Sequence, residues 1–462
     1  MRRSELSGGI DVGATNADAA LMDQDGRLVA RAKVRVGGVL RDSIGAALDA
    51  LLGAAPGGAA HPARVVLGTR QVTHDLEQRR ELTRVGVLRL GAPLTGALPP
   101  LCRWPPELRA AVSAGERIVG GGAELDGRTA APLDVDAVLR FLQDVAGDAR
   151  GIAISGVFSP VSPEQELAVA TLVLRELGPG VRVTCSHEIG SIGLLARENA
   201  TVLNAVLAGP AERLTGALAD ALEARHLAAE PFFAQSDGTI MNLDHALRFP
   251  VLMIGGGAAI SIRGAGHLSG VAEASVVDVG GTQTEVSVLV HGFPRSAPPP
   301  TEVAGVTGDL RIPELWRLPV GGDTEASDLA AALGWELADL DVLDGDPGRT
   351  HRPVIAIGGA AELVAAALTG TEEVIQPAQG DIAGAIGAVI APVSGSAELV
   401  CAPEPGRVRA AAEQVRREAI ERAIHAGADP ARVEVGEVEQ LPLSQLVEPA
   451  LRLRARALGP CA

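Results

Sequence analysis

The sequence contains no tyrosine, and aromatic residues make up only 2% of its 462 residues. With so few large rings, the core must be built mainly from Ala, Val, Leu and Ile, which favours close packing of helices on sheets. Lysine is nearly absent too, since almost all basic residues are arginine and Lys33 is the single lysine. A Walker-type phosphate loop needs a lysine directly after a glycine-rich turn, whereas Lys33 lies in a strand-like stretch, residues 29–36. The sequence therefore excludes P-loop and protein-kinase chemistry.

Cysteines are few, and hydrophobic runs are short. The four cysteines are far apart and form no Cys-x-x-Cys pair, so neither a disulfide framework nor a zinc ribbon is predicted. No apolar run reaches the roughly 18 residues of a membrane span, and no apolar segment follows Arg2 and Arg3. The formal net charge of -17 opposes contact with phosphate backbones. We therefore expect a cytoplasmic protein that binds neither membranes nor nucleic acid.

The hydrophobic fraction of 47% over this length is enough for two or three domains. Predicted strands and helices alternate through most of the chain, which is typical of an α/β fold. After Pro392 the composition becomes polar, with one charged amphipathic helix and strand-like segments. We expect an N-terminal lobe at 1–190, a second lobe at 191–395 and a small C-terminal α+β appendage at 396–462.

One short pattern occurs twice. Residues 11–18 read Asp-Val-Gly-Ala-Thr-Asn-Ala-Asp, and residues 278–285 read Asp-Val-Gly-Gly-Thr-Gln-Thr-Glu. Both have Asp, Val, Gly, Thr and a second acid at the same offsets between apolar strand residues, so both predict the same β-hairpin. One such hairpin alone is most often only a glycine turn, and the repetition favours a functional interpretation. Two copies imply two related lobes.

The residue types in these hairpins suit a phosphate site. Glycine lets the backbone approach phosphate oxygens, its N–H groups form an anion-binding nest, and the threonine hydroxyl adds a donor. A carboxylate cannot contact phosphate without repulsion, but it can hold magnesium through water or orient a nucleophile. We therefore predict Asp11 and Asp278 as Mg²⁺ ligands and catalytic residues, with Asp18 and Glu285 as further catalytic acids. The predicted phosphate-binding residues are Gly13, Thr15, Gly280, Gly281 and Thr282.

A third element follows the second hairpin. Residues 354–357 predict a buried strand that ends in Gly358 and Gly359 at the start of a helix. A flat adenine ring could lie against this backbone, because glycine has no side chain to block it; a tight strand-to-helix connection is the plain alternative. Two phosphate hairpins and a Gly-Gly pair, in this order, resemble the actin, sugar-kinase and heat-shock ATPase superfamily. That resemblance implies ATP as ligand and a two-lobed actin-like fold with duplicated ribonuclease H-like lobes.

Further stretches resemble the A-type subunit, short form, of the hydantoinase/oxoprolinase family over nearly the whole chain. The matching stretches are residues 67–69, 84–91, 186–190, 198–205, 235–239, 263–265 and 292–295. The resemblance implies an enzyme that uses ATP to activate a cyclic amide or related carbonyl substrate for ring hydrolysis or carboxylation. It also implies a separate B-type subunit as partner, within an oligomer.

The sequence departs from this family at three loops. Thr73-His74 stands where relatives have Thr-Asn, Ser236 where they have Asn, and residues 255–259 where they have Ser-Gly-Pro-Thr-Asn, while Glu285 replaces the usual Asp. The loop changes remove polar groups from segments expected to face the substrate. Three functions therefore remain open: an amide hydrolase or carboxylase subunit, a small-molecule kinase of the same superfamily, and a catalytically impaired nucleotide-binding partner.

Overall fold

A computed structural model describes residues 6–56, 61–281, 283–320, 327–334, 352–368, 373–443 and 449–462. The strands are β1 (Leu6–Val12), β2 (Asn16–Met22), β3 (Leu28–Arg35), β4 (Pro62–Thr69), β5 (Val85–Ala92), β6 (Ser113–Gly120), β7 (Gly151–Gly156), β8 (Arg182–Cys185), β9 (Glu230–Ala234), β10 (Ile240–Asn242), β11 (Ala274–Val279), β12 (Thr284–Val290), β13 (Phe293–Pro294), β14 (Thr301–Val303), β15 (Val306–Gly308), β16 (Leu315–Leu318), β17 (Val354–Ile357), β18 (Val374–Ile375), β19 (Val393–Cys401), β20 (Glu434–Val435), β21 (Glu439–Pro442) and β22 (Leu451–Gly459).

The helices are α1 (Leu40–Ala54), α2 (Gln71–Glu77), α3 (Pro106–Val112), α4 (Val135–Val145), α5 (Glu164–Leu177), α6 (Leu194–Val206), α7 (Ala208–Glu223), α8 (Leu243–Arg248), α9 (Gly256–Ser269), α10 (327–334), α11 (Glu362–Ala367), α12 (Ala383–Ile390) and α13 (Pro405–His425). Three short 3-10 turns, Ser186–Glu188, Pro250–Met253 and Gly380–Ile382, join some of these elements.

Two sheets repeat one strand order. In the first, β3-β2-β1-β4-β9 are neighbours, with β1 antiparallel to β2 and parallel to β4. In the second, β16 pairs with β12 and the order continues β12-β11-β17-β18, with β11 antiparallel to β12 and parallel to β17. This duplicated order is that of ribonuclease H-like lobes, so the predicted α/β, two-lobed actin-like fold is confirmed. We call the lobes around the ten-stranded and six-stranded sheets the first and second lobes.

The first lobe draws its strands from distant parts of the chain. Its sheet continues from β9 through β10, β19 and β22 to β20, with β21 also paired to β22. The strands therefore come from all three predicted segments, 1–190, 191–395 and 396–462. Helix α13 packs on β19 and β22, where Gly395 lies under the backbone of Ala423. The polar C-terminal segment extends the first sheet.

Residues 85–185 form a structure of their own, inserted between β4 and β9. Four parallel strands in the order β6-β5-β7-β8 make a separate sheet, with α4 and α5 among the helices against it. Its core is formed by small and branched side chains around Phe141. The sequence analysis assigned this alternation to the N-terminal lobe without predicting a separate sheet, because the strand and helix signals are the same in both arrangements.

The lobes are joined by two helices that cross at glycine. Helix α9 leads from the first sheet to β11, and α12 leads from the second sheet back to β19. A Cβ atom at Gly264 of α9 would lie 1.9 Å from the carbonyl oxygen of Ala383, and one at Gly387 of α12 would lie 1.8 Å from that of Ile260. Only glycine allows backbones to approach this closely. Among the described residues, no helix is both long and apolar enough to traverse a lipid bilayer.

We expect Gly264→Ala to destabilise the protein by roughly 1–3 kcal/mol, because overpacking would separate the helices that join the lobes. Gly216→Ala is the matched control, since Gly216 is also helical but a Cβ atom there would have no neighbour within 4 Å. Alanine favours helix, so the control should be neutral or slightly stabilising. Midpoints of urea unfolding measure both changes. Equal midpoints for Gly264→Ala and the wild type would contradict this close crossing.

Candidate functional site

The two repeated hairpins face each other across the lobes. In each turn the first glycine donates its N–H to the residue three positions on, Gly13 to Asn16 and Gly280 to Gln283, both at 3.0 Å. The turns lie close together, because a Cβ atom at Gly281 would be 3.3 Å from Cγ2 of Thr15. The structure thus brings Gly13, Thr15, Gly280 and Gly281 to one place. The fifth predicted phosphate-binding residue, Thr282, lies outside the described residues.

The four predicted acids gather beneath these turns. Register pairs Asp11 with Asp18 in the first hairpin and Asp278 with Glu285 in the second. Burial raises the pKa of Asp11 to about 8. The positive charge of Arg70 lowers this pKa, whereas the negative charges of Asp18, Asp278 and Glu285 raise it. Burial also raises the pKa of Asp278. Arg70 lowers this pKa, and Glu285 raises it further. These four residues therefore form one electrostatic group, which we call the acid centre.

Arg70 is the main cation of the acid centre, and the sequence analysis missed it. Its Nη2 atom lies 2.8 Å from Oε2 of Glu285 and 3.4 Å from Oδ2 of Asp278. Burial lowers the pKa of Arg70, but attraction to Glu285, Asp278 and Asp11 outweighs it and raises the pKa overall. The feature of the sequence that could have identified Arg70 is its position directly after residues 67–69, one of the stretches that resemble the family.

Two more cations surround the group. Nζ of Lys33 lies 3.0 Å from Oδ1 of Asp18, and burial raises the pKa of Asp18 despite this lysine. Arg317 of β16 places Nε 3.3 Å from Oε1 of Glu285 and Nη1 3.2 Å from Oε1 of Glu77 in α2. The single lysine of the chain is thus a partner of a predicted catalytic acid.

The acid centre has the donor chemistry of a divalent-cation site. Magnesium prefers hard carboxylate oxygens and is commonly held by one or two carboxylates together with water and phosphate oxygens, and Asp11 and Asp278 are electrostatically coupled here. Burial raises the pKa values of Asp11, Asp18 and Asp278, because the charged carboxylates lose contact with water. A divalent cation beside them would favour their charged forms. The residues present therefore fit Mg²⁺.

Each predicted metal ligand lies against a glycine. A Cβ atom at Gly384 would be 2.2 Å from Oδ2 of Asp11, and one at Gly358 would be 2.6 Å from Oδ1 of Asp278. Gly358 has φ +93° and also touches the carbonyl oxygen of Val279, so packing alone accounts for a glycine there. Gly359 is exposed, and a Cβ atom there would have no neighbour within 4 Å. Gly384 was missed, although the run of small residues around it in α12 was visible.

The loops that depart from the family pattern lie side by side near Arg70. Oγ1 of Thr73 accepts a hydrogen bond of 3.1 Å from the Gly255 N–H. A Cβ atom at Gly257 would lie 2.9 Å from the carbonyl carbon of Thr69 and 3.3 Å from Cγ of Arg70. The Ser236 N–H donates to the carbonyl oxygen of Leu252 at 2.7 Å. Thr73, Ser236 and residues 255–259 are all buried, so these departures from the family pattern change the internal packing, whereas His74 is exposed.

A second polar cluster lies in the inserted sheet. Glu166 accepts hydrogen bonds from Gly156 N at 2.7 Å and Ser186 Oγ at 2.6 Å, and its Oε2 lies 2.6 Å from Nδ1 of His187. Burial opposes ionisation, but the bonds from His187 and Ser186 lower the pKa of Glu166. Both carboxylate oxygens are satisfied, so the cluster stabilises the fold. The partner of His187 is therefore a residue 21 positions away along the chain.

Comparison with known proteins identifies the family. The model of the hydantoinase/oxoprolinase N-terminal region matches residues 8–177, and the hydantoinase/oxoprolinase model matches residues 197–339. The nucleotide-free structure of acetone carboxylase aligns with TM-score 0.71 and 16% identity, covering 100% of this chain and 88% of that chain. The ATP-dependent caprolactamase from Pseudomonas jessenii aligns with TM-score 0.75 and 16% identity, covering 98% and 87%.

No curated protein sequence matches the chain directly. At 16% identity the two structures bear on the fold alone, and both agree with it over nearly the full chain. The two family models together match more than half of the chain, and they cover both facing hairpins. The chain therefore belongs to the hydantoinase/oxoprolinase family.

Proposed function

We propose that the chain is the ATP-dependent subunit of an enzyme that activates a cyclic amide, or a related carbonyl compound, by phosphoryl transfer. The observation that carries this proposal is the acid centre, where Asp11 and Asp278 meet beneath two facing glycine turns. Backbone donors beside buried carboxylates suit a nucleotide with its metal. One of the two aligned structures is an ATP-dependent caprolactamase, and the other is acetone carboxylase, which carries out ATP-dependent acetone carboxylation.

Each predicted residue has a role in this proposal. Asp11 and Asp278 would hold Mg²⁺, whose charge would stabilise the phosphates of ATP during transfer. The turns would bind the phosphates through their N–H groups and the Thr15 hydroxyl. Asp18 and Glu285 would position Lys33 and Arg70 around the acid centre. Gly359, with open space beside it, and Gly358 would lie against adenosine. Thr282 completes the proposed set of phosphate-binding residues.

The proposed reaction has two steps. The amide oxygen of the substrate attacks the γ-phosphorus, and the bond from phosphorus to the bridging oxygen breaks, leaving its electron pair on ADP. In the second step, one water attacks the activated carbon, and the ring C–N bond breaks as its nitrogen takes a proton, which leaves an acyl phosphate. A second water then hydrolyses the acyl phosphate to a carboxylate and inorganic phosphate. The role of this chain's side chains is to bring substrate and phosphate together and to balance the developing charge. A B-type subunit in a cytoplasmic oligomer would complete the second step.

The altered loops favour a second candidate, in which the chain acts on another substrate or has lost turnover. Thr73 and residues 255–257 are buried beside Arg70 and contribute mainly backbone and small side chains to the packing there. A change in this packing would alter the position of Arg70 and, through it, the substrates that the site accepts. A kinase, a carboxylase subunit and a non-catalytic nucleotide-binding partner are therefore the alternatives.

We expect Asp11→Asn and Asp278→Asn each to lower ATP turnover roughly a hundredfold or more, because each removes a carboxylate from the centre of charge stabilisation. Asp144→Asn is the control, since Asp144 is exposed, pairs with Arg117 and belongs to the inserted structure at residues 85–185. Phosphate release by the purified protein with magnesium measures the effect. Full turnover in both site variants would show that these carboxylates have been assigned wrongly.

Product analysis separates the candidate functions. With ATP, magnesium, bicarbonate and a panel of lactams, hydantoins and ketones, we expect ADP, phosphate and a ring-opened product, detected by mass spectrometry. Accumulation of a phosphorylated compound would instead identify a kinase, and a carboxylated product a carboxylase subunit. Nucleotide binding by calorimetry without any turnover, with and without a B-type subunit, would identify a non-catalytic partner.

A further inference from the structure

Arg70 contacts one of the two proposed metal ligands. Its guanidinium contacts Glu285 at 2.8 Å and Asp278 at 3.4 Å, and Asp11 is the next acid that attracts it. Magnesium sits about 2.1 Å from its carboxylate oxygens. A metal bound directly to Asp278 would therefore lie close to the guanidinium and repel it. Arginine is always protonated, so the conflict cannot be relieved by loss of a proton.

The same arginine also bridges the lobes. Arg70 follows β4 of the first lobe, whereas Asp278 and Glu285 belong to β11 and β12 of the second. Arg317 of the second lobe then pairs with Glu285 and reaches back to Glu77 of the first. A row of alternating charges therefore crosses between the lobes twice. These contacts lie at the place where a nucleotide must enter if the proposed function is right.

Two features hold the stem of Arg70 in place. Its backbone precedes α2 directly, and Gly257 of α9 lies against its Cγ atom. The side chain is 35% exposed, so the guanidinium has room to move away from Asp278. Once it leaves Asp278, it remains tethered by Glu285 next to Asp11 and the phosphate turns.

We propose that Arg70 is a tethered cation, held by Glu285, that competes with the divalent metal for Asp278. This inference rests on the proposed function and deepens it. Without nucleotide, Arg70 neutralises the second hairpin and holds the lobes together. Binding of the metal with its nucleotide displaces Arg70 from Asp278. Metal affinity is therefore weaker than the carboxylates alone would give, and it rises when the tethered charge is removed.

The test measures Mn²⁺ binding, with and without a non-hydrolysable ATP analogue, by electron paramagnetic resonance on the full chain. We expect Arg70→Gln to bind Mn²⁺ roughly tenfold more tightly than the wild type, a ratio that corresponds to about 1.4 kcal/mol. Arg70→Lys keeps the charge and should bind Mn²⁺ almost as the wild type does. Arg213→Gln is the matched control, because Arg213 is 39% exposed and pairs with Asp75 and Glu81 outside the acid centre.

Hydrogen exchange gives an independent readout. In metal-free protein, Arg70→Gln should speed amide exchange in residues 278–285, while Arg213→Gln should not. Thermal unfolding of each variant checks that it is folded, and the lysine variant tests the charge if the glutamine variant is unstable. Equal or weaker Mn²⁺ binding by folded Arg70→Gln would overturn the competition and leave the proposed function standing. If wild type and variants bind neither Mn²⁺ nor nucleotide, the proposed function fails, and this inference fails with it.

Discussion

Burial of charged carboxylates between two facing hairpins is the constraint on which this site depends. Burial raises the pKa values of Asp11, Asp18 and Asp278, so the protein must supply cations or keep some of these groups protonated. Arg70 and Lys33 supply part of that charge from within the chain. A divalent ion would supply the remainder, and we propose that it competes with Arg70 for Asp278.

The acid centre exists because the lobes are held at a fixed distance by glycine contacts. Helices α9 and α12 cross where Gly264 and Gly387 leave no space for a side chain. The same helix α12 brings Gly384 against Asp11, and the end of β17 brings Gly358 against Asp278. Larger residues at these positions would move the hairpins apart. Many glycines in this chain therefore serve packing around the site, and contact with a ligand is proposed only for those in the turns and at Gly358 and Gly359.

Family membership and local chemistry support different parts of the functional conclusion. The family models and the two aligned structures establish the family and its fold. Substrate choice depends on loops, and here the loops that differ from the family pattern adjoin Arg70. A function argued from a fold must still be argued from its site. The changed packing beside Arg70 is the reason why we propose that the substrate of this chain differs from those of its relatives.

The sequence alone determined the hairpins, because a strand-turn-strand pattern is local: the repeat predicted both hairpins and hence two lobes. The register that pairs Asp11 with Asp18 and Asp278 with Glu285 came from the structure. The sequence did not predict the separate inserted sheet, the partnership of Glu166 with His187, or the C-terminal strands joining the first sheet. Only the tertiary structure decided the place of Arg70, which is 208 residues from Asp278 along the chain. Periodicity and turn chemistry act over a few residues, whereas the neighbours of a side chain across a cleft depend on how whole lobes pack.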